Sequence, residues 1–209
     1  MPRIVSVNVG APRQISVRRG RPLMSAIVKS PVEGRVRVEG VNLAGDDQAD
    51  RRVHGGPDKA VYAYAREDTD WWESELGREL PHGMFGENLT LEGVEVTGAV
   101  VGERWRAGTV ELEVSQPRLP CAKLGLRFGD PLMVRRFGEA SRPGAYLRII
   151  QEGDLGAGDE IELLSRPEHG ITVEFVSRAI LLDDSLRARA GSAPELAESL
   201  AQHLRSDAA

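Results

Sequence analysis

A mostly β domain followed by a short helical tail is the fold class that the sequence predicts, and three observations carry it. The chain holds 23 glycines and 12 prolines among 209 residues, punctuating short apolar runs in the manner of brief strands joined by tight turns. Several runs alternate, as Val110, Leu112 and Val114 do with Glu111 and Glu113, which gives a strand one apolar and one solvated face. From Pro167 the period changes, and Val173, Val176 and Ile180 follow helical spacing. The sequence therefore divides into a β domain over 1–166 and a small helical unit over 167–209.

Composition narrows the function. With 41% hydrophobic residues the chain is expected to be soluble and globular, and its length allows one main core with a small appendage. A net charge of −5 and a pI near 5.5 leave no basic field for a nucleic-acid polymer. The N-terminal Met1 to Val9 alternates like a strand without a signal peptide's apolar core, and no later stretch is long enough to span a bilayer. A cytoplasmic location with no membrane partner is the expectation. The single cysteine, Cys121, excludes an internal disulfide framework, a four-cysteine zinc site and a self-contained iron–sulfur cluster.

Taken in order, the first strand is followed by the apolar run Ser25 to Val32, a Glu33-Gly34 turn and the alternating strand Arg35 to Glu39. Lys29 can point inward or outward, and because lysines are seldom buried unless paired the solvated reading is the favoured one. Next, Gly55 and Gly56 stand beside His54 and ahead of Pro57. Such a turn can gather exposed N–H groups into an anion nest, with Lys59 adding charge, and it reads equally as a plain turn before the strand Ala60 to Tyr64. A Walker loop is excluded by the missing Gly-Lys-Ser/Thr ending, and a calcium loop by the missing glycine and glutamate spacing. Glu67, Asp68 and Asp70 lead into Trp71 and Trp72 and a Gly77 stop, a short surface helix whose tryptophans pack. Asn88, between Gly86-Glu87 and a strand, can donate and accept at once, which suits a heterocycle edge or a turn. His54 and His82 have no partners at metal-ligand spacing.

The strand over 109–114 delivers Cys121 on a loop stiffened by Pro117 and Pro120. Arg118 and Lys123 lie close in sequence, and nearby positive charge favours a thiolate. A lone cysteine is otherwise a small buried hydrophobe. After a turn at 129–131, Arg142 to Ile150 reads as a strand with Arg148 opposite Leu147 and Ile149, and Glu160 to Leu164 ends the sheet. Gly156-Ala157-Gly158 lacks the rest of a dinucleotide fingerprint. In the tail, Asp183-Asp184 caps a helix ending at Gly191, Ser192 to Glu195 resembles a capping box, and Leu196, Leu200 and Leu204 form a stripe. That stripe can dock on the β domain or on a second chain, which makes a homodimer an expectation.

The order of these motifs resembles the MOSC family, named for the C-terminal domain of molybdenum-cofactor sulfurase, and within it the free-standing YiiM-like branch. The residues that carry the resemblance are Ser25-Ala26-Ile27 with Lys29, Gly45-Asp46 with Gln48-Ala49-Asp50, Val53 to Ala60, Phe85 to Leu89, and Val114 to Arg118 with Pro120-Cys121. The resemblance implies a closed barrel-like β domain with a three-helix C-terminal appendage. It implies the molybdenum cofactor, a molybdopterin, with Cys121 as metal ligand and catalytic residue. By the same resemblance His54, Gly55, Gly56 and Lys59 line the pterin and phosphate pocket, with Asn88, Gln116, Lys29 and Arg148 at its polar edge. Arg118 and Lys123 assist the thiolate. The implied reaction reduces N-hydroxylated compounds, such as hydroxylaminopurines, to amines. With no flavin signature and one cysteine, electrons are expected from a separate flavin or iron–sulfur reductase. The rival is a sulfur carrier with a persulfide on Cys121, and a third reading is a non-catalytic pterin or phosphate-binding module.

Overall fold

The computed structural model describes residues 1–18, 20–49 and 55–206, and the alternating segments become its strands. Strand β1 (Arg3–Val9) is followed by the hairpin β2 (Arg13–Arg18) and β3 (Arg21–Ser25), the two-residue β4 (Ser30–Pro31), then β5 (Arg35–Glu39) and β6 (Asn42–Leu43). In β5, Val36 and Val38 are buried between exposed Arg35, Arg37 and Glu39, as the alternation requires. Strand β7 (Val61–Ala65) runs directly into α1 (Arg66–Leu76), which has the expected acidic first turn and ends at a left-handed Gly77. After β8 (Leu89–Glu92), β9 (Arg104–Ala107) and β10 (Val110–Pro117) come two helices not expected from the sequence, α2 (Ala122–Phe128) and α3 (Met133–Glu139). Their signals are the buried i,i+4 pairs Leu124 with Phe128 and Met133 with Phe137. Strands β11 (Ala145–Gln151), β12 (Gly153–Gly156) and β13 (Ile161–Ser165) follow.

The expected closed barrel is not formed. Eight strands make one open sheet in the order β13-β9-β10-β11-β7-β8-β1-β4, mixed because β7 and β8 run parallel. Strands β12, β5 and β6 form a separate sheet, and β2 with β3 a two-stranded arm. Closure would need β4 to pair with β13. Strand β4 offers only two residues, one of them Pro31 with no N–H to give a ladder. The approach of β1 toward that edge stops at an isolated bridge between Arg3 and Glu160. The fold is thus an open mixed sheet with several short helices.

Both faces of the sheet centre are covered, and this changes one expectation about β10. Val110, Leu112 and Val114 enter the main core as predicted, but Glu113 is buried too. It is held by Arg104 at 3.0 Å and Arg148 at 2.8 Å. A second, aromatic cluster packs Trp72, Tyr64, Phe85 and Phe137 between α1, α3 and the sheet, which is where the tryptophan reading holds.

The tail is helical, with α4 (Val173–Leu181), a 3-10 turn at Asp184–Leu186, α5 (Arg187–Ala190) and α6 (Glu198–Ser206). Thr172 caps α4 by accepting from Phe175 N, and Asp183 accepts from Ser185 N ahead of the turn. The capping box is not made, since Ser192 Oγ donates back to Arg189 O and α6 begins only at Glu198. Leu196, Leu200 and Leu204 are buried against Val101, Ile171 and Val176 of the same chain. The stripe is therefore covered from within, which removes the reason given above for a dimer. Among the described residues no helix is long and apolar enough to cross a membrane.

One turn is conformationally exacting. Gly144, with φ of 62°, precedes β11, and a Cβ there would lie 2.6 Å from both Ala63 O and Tyr64 Cδ2. Gly144→Ala is expected to cost about 2 kcal/mol or more, from the left-handed backbone and the clash together. A fall in the urea midpoint at unchanged m value reads it out.

Candidate active site

Strand β10 delivers the cysteine. Its last residues, Gln116 and Pro117, pair with Tyr146 and Ala145 of β11, after which 118–120 turn the chain and Cys121 opens α2. Cys121 is a free, half-buried thiol on the wall of a cleft of about 660 Å³, measured out to its mouth. Tyr62 of β7 and Tyr146 of β11 face each other in register with rings 5.2 Å apart, and with Phe85 they give the cleft an aromatic wall. Burial pushes both phenols above their ordinary range, so they stay neutral hydroxyls.

Arg118 dominates the electrostatics. It lines the cleft at 5% exposure, and its guanidinium stands 5.9 Å from the Tyr62 ring and 5.1 Å from the Phe137 ring. Among the described residues it makes no hydrogen bond or ion pair, and Nη1 is buried without a partner. Each of the two ring contacts supplies about 2 kcal/mol when desolvated. Removing an ion from water costs several kcal/mol, so the buried charge is left undercompensated and matched to an anion.

Lys29 contradicts the expectation that it lies in solvent. It is 8% exposed, and its Nζ pairs with Asp46 Oδ1, whose side chain is 2% exposed. Both residues line the cleft. Asp46 also accepts from Gly10 N at 2.8 Å and from Asn88 Nδ2 at 2.9 Å. Burial pushes Lys29 below the ordinary lysine range, and the Asp46 carboxylate offsets part of that. The segment 26–29 is pressed between glycines. A Cβ on Gly10 would lie 2.5 Å from Val28 O, one on Gly83 2.9 Å from Lys29 O, and one on Gly86 2.9 Å from Ile27 Cγ1.

The structure brings Lys29, Lys59, Asn88, Arg118, Cys121 and Lys123 to one cleft. Lys59 is half-buried, and burial lowers its pKa with Asp58 opposing the shift. The Asn88 amide is committed to the protein: Oδ1 accepts from Tyr62 N, and Nδ2 donates to Asn8 O and Asp46. Its role here is to tie β1, β7 and the Asp46 loop together. Arg148 does not line the cleft, because Asp58, Glu113 and the Glu195 carbonyl take its guanidinium. Gln116 is buried and absent from the lining, with Oε1 unpartnered among the described residues, and Gly55 and Gly56 also lie outside the lining. His54 lies outside the described residues. Asp46, Tyr62 and Tyr146 are cleft residues that the sequence did not single out for the site. The visible signals were an acid directly after Gly45 and aromatic residues on two strands.

Among the described residues no group of three or more His, Cys, Asp and Glu side chains could hold a metal ion. A metal at Cys121 would take one soft thiolate from this protein, and its other ligands from its own organic carrier. An anionic carrier fits Arg118.

The family described as "MOSC domain" matches residues 50–162. The Bacillus subtilis "Uncharacterized protein YflK" is 39% identical over 175 residues, covering 84% of this chain and 79% of that protein. A Gibberella moniliformis protein named "Reductase" is 34% identical over 165 residues, which span 77% of this chain and 29% of the relative. The crystal structure of YiiM from Geobacillus stearothermophilus superposes over 100% of both chains, with a TM-score of 0.81 and 29% identity. The chain belongs to the MOSC domain family, on its YiiM-like branch.

Proposed function

We propose that the chain holds the molybdenum cofactor in the Cys121 cleft and reduces N-hydroxylated compounds to amines, with electrons from a separate flavin or iron–sulfur reductase. The observation that carries this reading is the undercompensated Arg118 guanidinium in the same cleft as the only thiol. Family membership and a relative named for reduction support it. When bound, the molybdenum supplies a two-electron redox centre. The protein's own work is to give one thiolate from Cys121, neutralise the anionic pterin with Arg118, Lys59 and Lys123, and stack a flat substrate on Tyr62, Phe85 and Tyr146.

Metal and pterin analysis of protein from a cofactor-competent host tests the reading. Stoichiometric molybdenum is expected, with at least a tenfold loss in Cys121→Ala. A trapped persulfide on Cys121 with no metal would instead establish the sulfur carrier, and retained pterin without reduction of any hydroxylamine the binding module. NADH alone is expected to sustain no turnover until a reductase is added.

A further inference from the structure

We propose that Lys29 is the proton donor for N–O bond cleavage and that Asp46 positions it, an inference that rests on the function proposed above. Reduction of R–NH–OH consumes two electrons, delivered from the external reductase, and two protons. The N–O bond breaks, the departing hydroxyl takes one proton and leaves as water, and the nitrogen takes the other to become the amine. The first of these protons needs a donor inside the cleft, because a hydroxide is a poor leaving group without one.

The lining narrows the choice. Arg118 does not deprotonate in proteins. The Tyr62 hydroxyl is committed to Pro143 O at 2.8 Å. Asp46 is an acceptor, with both carboxylate oxygens already engaged. Lys29 has three N–H groups, and among the described residues its one side-chain hydrogen bond goes to Asp46 Oδ1, so two remain for the cleft that it lines. Its backbone is fixed by Gly83, and its head by Asp46, so the ammonium is held in place. The charged groups facing it are Asp46 from the loop after β6 and Glu87 from the segment before β8, with Asp47, Arg118, Lys59, Lys123, Cys121 and the phenols of Tyr62 and Tyr146 also in the lining. Glu87 is fully buried, its carboxyl accepting from Gly83 N, Phe85 N and Thr90 Oγ1. Its lowered pKa makes the Lys29 ammonium a stronger acid than an ordinary lysine, as a proton donor requires. The sign is definite: activity is present while Lys29 is protonated and declines as pH rises through its pKa.

Two readouts test this. In cofactor-free protein with 15N-labelled lysine, the Nζ resonance missing from Lys29→Ala is expected to titrate below free lysine in the same buffer. Titration together with free lysine would overturn the proposal. In loaded protein driven by reduced methyl viologen, with a hydroxylaminopurine as substrate, Lys29→Ala is expected to keep its molybdenum and pterin. Its kcat should fall about 100-fold, and methylamine should restore at least a tenth of the loss. Activity within threefold of wild type, no rescue at full metal content, or metal lost in step with activity would each overturn it. Should Lys29→Ala fail to fold, Lys29→Ala with Asp46→Asn removes the orphaned carboxylate and is read the same way. A molybdenum-loaded wild type that reduces no hydroxylamine refutes the reductase itself, and the inference falls with it.

Discussion

Arg118→Met is expected to cut molybdenum retention at least tenfold while leaving the cofactor-free protein no less stable than wild type. The two effects diverge because the guanidinium is buried with no ion-pair partner among the described residues. Replacing it with an apolar chain of similar length removes a desolvation penalty, and the stability of the empty fold should rise by about 1–3 kcal/mol. What is lost are the contacts with the Tyr62 and Phe137 rings, each worth less than that penalty. Urea unfolding of the empty protein and elemental analysis after dialysis measure the two sides separately. Arg118→Lys keeps the charge but not the planar fork, and is expected to hold cofactor at an intermediate level. A destabilised empty protein with unchanged molybdenum would make Arg118 a packing residue and sink the anion site.

The largest stability loss is expected from Asp46→Ala. It strips Lys29 of its counter-charge, and leaves Gly10 N without its 2.8 Å acceptor and Asn88 Nδ2 with one partner fewer. Removing one partner of a buried ion pair typically costs about 3–5 kcal/mol. The pH dependence identifies the cause. Burial holds Lys29 below its ordinary value, so the unfolded chain binds that proton to higher pH and stability rises with pH between the two values. Without Asp46 the folded value drops further and the window opens downward. The deficit of the variant should therefore be widest in acid and shrink as Lys29 becomes neutral, which urea midpoints across a pH series will show. A deficit that does not change with pH would place the loss in the backbone contacts instead.

What the sequence disclosed was mostly local. Alternation named β5 and β10, and the acidic turn with Gly77 named α1. The cysteine loop and the change of period in the tail were equally visible. Pairing at the sheet edges was not, because whether β4 meets β13 depends on residues some 130 positions apart. Helices α2 and α3 carry a single i,i+4 pair each, too little periodicity to stand out among prolines and glycines. Lys29 was misplaced because its counter-charge sits 17 residues away in another loop. Asn88 and Arg148 look the same in sequence whether they face a ligand or their own backbone. Only their hydrogen-bond partners in the fold separate the two.

The glycines beneath the cleft bear on anyone who wishes to widen the range of compounds it admits. Gly10, Gly83 and Gly86 leave no clearance for even a methyl group against 27–29. Libraries that vary those loops would therefore spend their diversity on misfolded clones. Recruitment of bulkier or differently shaped molecules has to come from the more accessible lining residues, at Gln48, Ala49, Leu119 and Tyr146.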